Sequence, residues 1–360
     1  MKAMSTESNP EAAKSNLTEL TELTELAVGV DVAKDELVVA VWDRTAQKAQ
    51  VMEPFSNDEA GLEQLAQQIE AWSQQTGAAV IHLTAEPTGG YELPLAYFAQ
   101  QRGWQVSLVN PLLLRDWAKS QGRRAKTDRL DAIVLAQYTV ERRPPAWQPP
   151  SPALRELDNL LSRRTDLLKM LQAEHNRQKQ FTLRPDAQTV SHNVQFVLTA
   201  LEQALADIDA TLADWRDRYP PLDEQADLLD TLPGVGPKTV LRLMAVLMRW
   251  AILTGGRGSD KALTAFVGLD PKVHTSGTSV YKHPLISKQG DPDLRMALYM
   301  AVLGALRGRN ALHDFYDSLV ARGKPKMVAL VACMRKLLIW AWHVFSTHTP
   351  YDPSLHLKSS

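Results

Sequence analysis

Cysteine is all but missing: Cys333 is the single one in 360 residues. That excludes an intrachain disulfide and any cysteine-rich zinc site. No uninterrupted apolar run approaches the roughly 20 residues that a membrane-crossing helix needs. The first 26 residues are polar, with a TELTELTEL repeat and no apolar segment of the kind a secretory signal carries. A cytoplasmic protein with no membrane partner is the expectation. The GxxxxGK[ST] spacing of a nucleotide-binding loop is absent, so no nucleotide cofactor is indicated. The nine histidines show no HExxH-type metal spacing. An excess of charge is lacking too: 40 Lys and Arg stand against 41 Asp and Glu, for a net −1.

What is present is more specific. Four acids sit where an acid is hard to excuse structurally: Asp31 inside the apolar run AVGVDVA, Glu86 at the end of VIHLTAE, and Asp128 and Asp131 in KTDRLDAIVLA. An ionised carboxylate in an apolar strand costs several kcal/mol unless its charge is compensated. A shared divalent cation is the simplest compensation, because hard cations such as Mg²⁺ (or Mn²⁺) are held by a few carboxylates together with phosphate oxygens. Residues three apart on a helix share a face, so Asp128 and Asp131 can address one site. Asp128 alone can also be read as a helix cap after Thr127. The charge distribution supports phosphate chemistry. Arg115, Lys119, Arg123, Arg124, Lys126 and Arg129 crowd the Asp128/Asp131 pair, and Lys282 to Lys336 holds ten Lys or Arg against four Asp or Glu. Basic runs of this kind suit a nucleic-acid backbone, although each alone fits a solvated face.

Along the chain, LAVGVDV and ELVVAVWD read as two strands turning at Ala33–Asp35, followed by the extended KAQVMEPF. A helix over about 58–74, a strand at 79–85, a helix at 91–101, a strand at 104–109 broken by Asn110-Pro111, and a helix through Asp131 to about Glu141 complete a mixed sheet with helices against it. The five prolines of RRPPAWQPPSP mark a domain boundary. Beyond it, Leu154, Leu157, Leu161, Leu168 and Leu171, then Leu198, Leu201, Leu205, Ile208, Leu212 and Trp215, keep coiled-coil spacing. They predict either a helical hairpin within the chain or a bundle between subunits. After Tyr219-Pro220-Pro221 the chain reads as mostly helical. LPGVGPKT fits a helix-hairpin-helix turn in which Gly234 and Gly236 admit a phosphate and Lys238 adds a charge, or else a tight packing turn. His82 in an apolar strand reads as a hydrogen-bonded core residue, and Trp104, Trp215, Trp250, Trp340 and Trp342 as core or interface residues.

GVDVAKDEL, LTAEPTGGYELPLA and KTDRLDA, with LPGVGPKT, AFVGLDP, HTSGTSV, ISKQGDPDLRMALYMA and MRKLL in the same order, resemble the DEDD transposases of the insertion-sequence one-ten family, recombinases guided by a bridge RNA. The resemblance runs from about Ala27 to Phe345. It implies an α/β plus all-α chain: an RNase H-like (RuvC-like) DEDD domain over 26–145 after a flexible acidic arm at 1–25, a linker and coiled-coil insert over 146–220, a helical transposase domain over 221–346, and a tail at 347–360. It further implies that Asp31, Glu86, Asp128 and Asp131 bind metal and that Ser276, in the TSG motif, attacks DNA to form a phosphoserine link. The site would be composite between protomers of a homodimer assembling to a tetramer, with donor DNA, target DNA and guide RNA as partners. Without the resemblance, Ser276 is first of all a turn residue. Relatives often have a Gly/Arg-rich stretch after this serine, and here VYKHPLISKQG stands in its place. Lys282, Lys288 and Arg295 keep positive charge nearby. An alternative reading is a metal-dependent, Holliday-junction-type endonuclease that uses activated water, and another is a nucleic-acid-binding protein with a dead site.

Overall fold

The computed structural model describes residues 25–43, 47–123, 127–182, 184, 186–276 and 280–356. Its contacts divide the chain into two units that meet at Pro149/Pro150.

The first unit is built on a mixed sheet of β1 (Glu25–Val32), β2 (Glu36–Asp43), β3 (Lys48–Val51), β4 (Phe55–Ser56), β5 (Val80–Ala85) and β6 (Gln105–Leu108). Its order is β3-β2-β1-β5-β6, with β4 pairing the far end of β2. The first three strands are antiparallel, whereas β1, β5 and β6 run parallel. Side chains alternate along a strand, so each face has its own partners. Val28, Val30, Val32, Leu37, Val39, Val41 and Leu83 pack against helices α1 (Glu59–Thr76) and α2 (Leu93–Gln101). The opposite face takes α4 (Asp128–Arg142), and α3 (Pro111–Ser120) lies beside α4. Ala132 and Ala136 of α4 lie on Val38 and Ala40, and α3 packs against α4 through Leu114, Trp117, Val134 and Leu135.

α3 departs from the sequence expectation, which ended a strand at Asn110-Pro111. The Asn110 side chain accepts from Leu112 N–H at 2.9 Å, and Pro111 takes the first helical position, where its missing N–H costs nothing. The same dipeptide that stops a strand therefore starts a helix.

Gly29 decides how closely α4 can approach. A Cβ built there would lie 2.2 Å from both the Ala132 carbonyl oxygen and the Ala136 nitrogen. Gly29→Ala is therefore expected to lift α4 from the sheet and destabilise this unit by about 1–3 kcal/mol, the usual range for overpacking. Thermal unfolding of the variant checks it, and an unchanged melting temperature would refute the close-contact account.

The second unit starts with α5 (Pro152–Thr182) and α6 (Gln188–Arg218), which form a hairpin within the chain. Leu154, Leu157, Leu161, Leu198, Leu212 and Trp215 are buried as the spacing predicts. The seam then shifts by one residue: Leu167 is buried and Leu168 is 41% exposed. At the base of the hairpin the Trp215 indole N–H donates to the Ala153 carbonyl at 3.0 Å. Arg164 reaches across to Asp209.

The remaining elements are α7 (Pro220–Asp230), α8 (Pro237–Thr254), α9 (Asp260–Phe266), β7 (Pro271–Ser276), β8 (Val280–Ile286), α10 (Pro292–Ala305), α11 (Ala311–Ala321) and α12 (Lys326–Thr347), followed by a 3₁₀ turn at Pro353–His356. The base of the α5–α6 hairpin shares their core. α12 is long and apolar enough to cross a membrane, with mean hydropathy 1.5 over its best window, but most of that window is buried against α8, α10 and α11. Cys333 lies in this helix, and burial raises its thiol pKa to about 11, so the lone cysteine is a core residue rather than a nucleophile. This half is mostly helical as expected, with the two-stranded β7–β8 sheet as an element the sequence reading did not name. Trp104, Trp215, Trp250, Trp340 and Trp342 are all buried.

Candidate functional site

The β1–β5 register aligns two of the four acids. Val30 pairs with Ala85, the last residue of β5, and Asp31 and Glu86 are the residues that follow them. Both belong to the face that carries Gly29 and Thr84, the face covered by α4. The Thr139 hydroxyl donates to the Leu135 carbonyl within α4 at 2.7 Å and lies in hydrogen-bond contact with the Thr84 hydroxyl at 2.8 Å. The direction of α4 follows from its ends. Its C-terminus leads to Pro144 and Pro145, whose carbonyls accept from Ser107 beside the buried His82. His82 in turn contacts Glu25 at the start of β1, so it is the hydrogen-bonded core residue its strand context predicts. α4 thus runs against β1, and its first turn, with Asp128 and Asp131, lies toward the Asp31/Glu86 end.

Thr127, not Asp128, caps α4: its hydroxyl accepts from Leu130 N–H at 3.2 Å. Asp128 and Asp131 occupy the first turn, where the helix dipole favours negative charge by about 0.3–1 kcal/mol each. Asp128 is exposed and Asp131 half-buried. Asp31, Glu86 and Asp131 each have an interaction partner. Among the described residues, no three His, Cys, Asp or Glu side chains are gathered closely enough to hold a metal ion. The donor chemistry nevertheless fits a hard divalent cation, since it is all carboxylate oxygen. So does the placement of the elements at one end of the sheet.

The predicted phosphate contacts fare unequally. Arg124 and Lys126 lie outside the described residues, and so does the Lys282 side chain. Arg123 donates to the Gln137 side chain of α4. Gly234, at φ +76°, is a packing glycine: a Cβ there would meet the Ala301 carbonyl of α10 at 2.1 Å. Gly236 leaves open space and forms the N-cap of α8. Pro237 has no N–H, and the Thr239 and Val240 amides bond the Gly236 carbonyl, which leaves the Lys238 amide as the donor in that turn. Lys238 is exposed, 3.9 Å from Asp209. Lys288 is exposed in the left-handed region at φ +59°, with its amide on the Gly268 carbonyl. Arg295 donates to the Val267 carbonyl at 3.0 Å, so it ties elements together. Ser276 ends β7 and pairs with Val280 across the hairpin. Lys336 is half-buried over the Phe315 and Trp340 rings rather than on a solvated face.

A cleft of about 990 Å³ opens between α5, α6, α8 and α10, with five cationic side chains along it. They are largely spoken for. Arg164 holds Asp209, whose carboxyl is kept below its ordinary range mainly by that hydrogen bond. Arg216 pairs with Asp223 and Asp227. Arg242 donates to Thr165 and to the Leu161 carbonyl. Outside the cleft lining, burial pushes the Asp158 carboxyl up despite its ion pair with Arg249. Arg164, Arg242 and Arg249 find partners 45, 77 and 91 residues away, pairings that no local pattern in the sequence shows.

Residues 28–183 match the pattern described as "DEDD_Tnp_IS110: Transposase", and residues 226–317 match "Transposase IS116/IS110/IS902 family". The pilin gene-inverting protein of Moraxella lacunata is 33% identical over 335 residues, 91% of this chain and 98% of the relative. The chain belongs to the IS110 family of transposases. It is therefore an enzyme of the DNA recombinase and transposase class. The pilin gene-inverting protein of Moraxella bovis is 32% identical over the same shares of the two chains. An uncharacterized protein of insertion element IS110 from Streptomyces coelicolor is 27% identical over 43% of this chain and 36% of its own length. Among solved structures, T. thermophilus RuvC in complex with Holliday junction substrate overlaps 32% of this IS110-family chain and 92% of its own, at 10% identity and a TM-score of 0.24.

Proposed function

We propose that this IS110-family transposase exchanges strands between a donor and a target DNA under the guidance of an RNA, and that Ser276 is its nucleophile. The reading is carried by one observation: Asp31 and Glu86 directly follow Val30 and Ala85, the paired residues at one end of the parallel strands β1 and β5, with the first turn of α4 toward the same end. The strand order β3-β2-β1-β5-β6, antiparallel then parallel, is the order expected of an RNase H-like sheet. Asp31, Glu86, Asp128 and Asp131 are the residues to hold a divalent ion, Mg²⁺ or Mn²⁺. When bound, it would polarise the scissile phosphate and neutralise developing charge.

The chain's own part is positional and covalent. The Ser276 oxygen bonds to phosphorus, the bond from phosphorus to the leaving sugar oxygen breaks, and the serine proton ends on that leaving oxygen. A DNA hydroxyl then reverses the exchange on the new partner strand and restores the serine. One phosphodiester replaces another, so no nucleotide cofactor is consumed. Pairing with the guide would read sequence while the protein holds backbones. Ser276 and the acids belong to different units of the chain, which allows a composite site in which one protomer's serine meets another's acids, within a dimer that assembles to a tetramer.

The test is reconstitution of strand exchange with donor and target duplexes and RNA transcribed from the element's flanks. Product is expected only with RNA and a divalent ion present, and chelation should abolish it. Equal product after ribonuclease treatment would remove the guide from the account, and equal product under chelation would remove the metal.

A further inference from the structure

We infer that Arg295 and the Asp270–Ser287 pair are positioning residues that fix the direction in which the β7–β8 hairpin presents Ser276. The inference rests on the reading of Ser276 as nucleophile. A two-stranded hairpin is marginally stable alone, and β7 and β8 find their main pairing in each other. The tip therefore takes its direction from the base, and the base is tightly built. Gly268, at φ +75°, is buried, and a Cβ there would lie 2.6 Å from the Gln289 nitrogen. A Cβ on Gly290 would lie 2.2 Å from the Phe266 carbonyl oxygen. The strands thus leave the end of α9 with their backbones in contact. Across this crossing, Ser287 N–H donates to the Asp270 carbonyl at 2.9 Å, the Ser287 hydroxyl donates to the Asp270 carboxylate, and Lys288 N–H donates to Gly268 at 3.1 Å. Arg295 of α10 closes the clasp from below through the carbonyl of Val267, the C-cap of α9.

The lever is long enough for the base to matter. Ser276 lies six residues beyond Asp270, about 20 Å of strand. A tilt of roughly 5° at the clasp therefore moves the tip by about 2 Å, when a misplacement of about 1 Å can cost 100-fold in rate. The register shift between Lys272 and His274 adds a fixed bend in this arm, beside Pro284, a residue that strands tolerate at bulges.

The test uses the full-length protein with a donor duplex and the flank-derived RNA, and reads the rate of covalent protein–DNA adduct against DNA concentration. Arg295→Gln and Ser287→Ala are expected to slow adduct formation at saturating DNA by about 10–100-fold, with half-saturation and melting temperature near wild type. Arg295→Lys, which can still donate to Val267, should recover most of the rate. Ser287→Ala, losing only a hydroxyl, keeps the test decisive if Arg295→Gln melts early. Wild-type rates in both variants would overturn the inference. So would a defect that vanishes at saturating DNA, because Arg295 would then be a DNA contact. An adduct that persists in Ser276→Ala would instead sink the nucleophile reading on which the inference rests.

Discussion

Ser276→Ala is expected to leave no protein attached to DNA after denaturing purification, where the wild type carries a phosphoserine-linked strand. The substitution removes one oxygen at the end of β7, where the backbone pairs with Val280. Alanine suits that backbone as well as serine does, so the hairpin, RNA binding and DNA binding should persist. The chain's thiol cannot replace the lost bond. Cys333, the one thiol, is buried in the core with its pKa raised to about 11. The reading in which activated water attacks, as in a junction-cutting endonuclease, predicts the opposite pair of results: no adduct in the wild type, and full cleavage in the variant.

The sheet of the first unit was largely legible in the sequence, because its strands obey a simple rule. Each buries one face under α1 and α2 and the other under α4, so AVGVDVA and ELVVAVWD read as strands bounded by turn residues. β7 and β8 lack that signal for a physical reason: a two-stranded hairpin has no broad sheet to bury, and apolar alternation is not required of it. α3 was missed because Asn110-Pro111 serves equally as the end of a strand and as the cap and first residue of a helix. The apolar seam of the α5–α6 hairpin was readable up to Leu161, but periodicity alone could not choose between Leu167 and Leu168. At the site, the oddity of each acid was visible, whereas the alignment of Asp31 with Glu86 depends on the parallel register of β1 with β5, which no local pattern encodes. Gly29 was the available clue. A glycine inside a strand signals close backbone approach, and here it marks the seat of the helix that brings Asp128 and Asp131.

Asp31→Asn and Glu86→Gln should each reduce strand exchange by about 1,000-fold or more, since losing several kcal/mol of transition-state stabilisation has that effect on rate. Both changes keep shape and hydrogen-bonding capacity while removing charge, so RNA binding and melting temperature should hold. That separates a role in chemistry from one in folding. Asp128→Ala should be as severe in strand exchange and slightly worse in stability. It removes a first-turn carboxylate worth about 0.3–1 kcal/mol to α4, but not the cap, which belongs to Thr127. Its exposure makes the comparison sharp: an exposed acid with only a dipole to satisfy would cost that fraction of a kcal/mol and no activity. Strand-exchange rates measured beside thermal melts distinguish the cases. Undiminished recombination in any of the three variants would remove that residue from the acidic set. Undiminished recombination in both Asp31→Asn and Glu86→Gln would mean that the paired strand ends are not where the phosphate reacts.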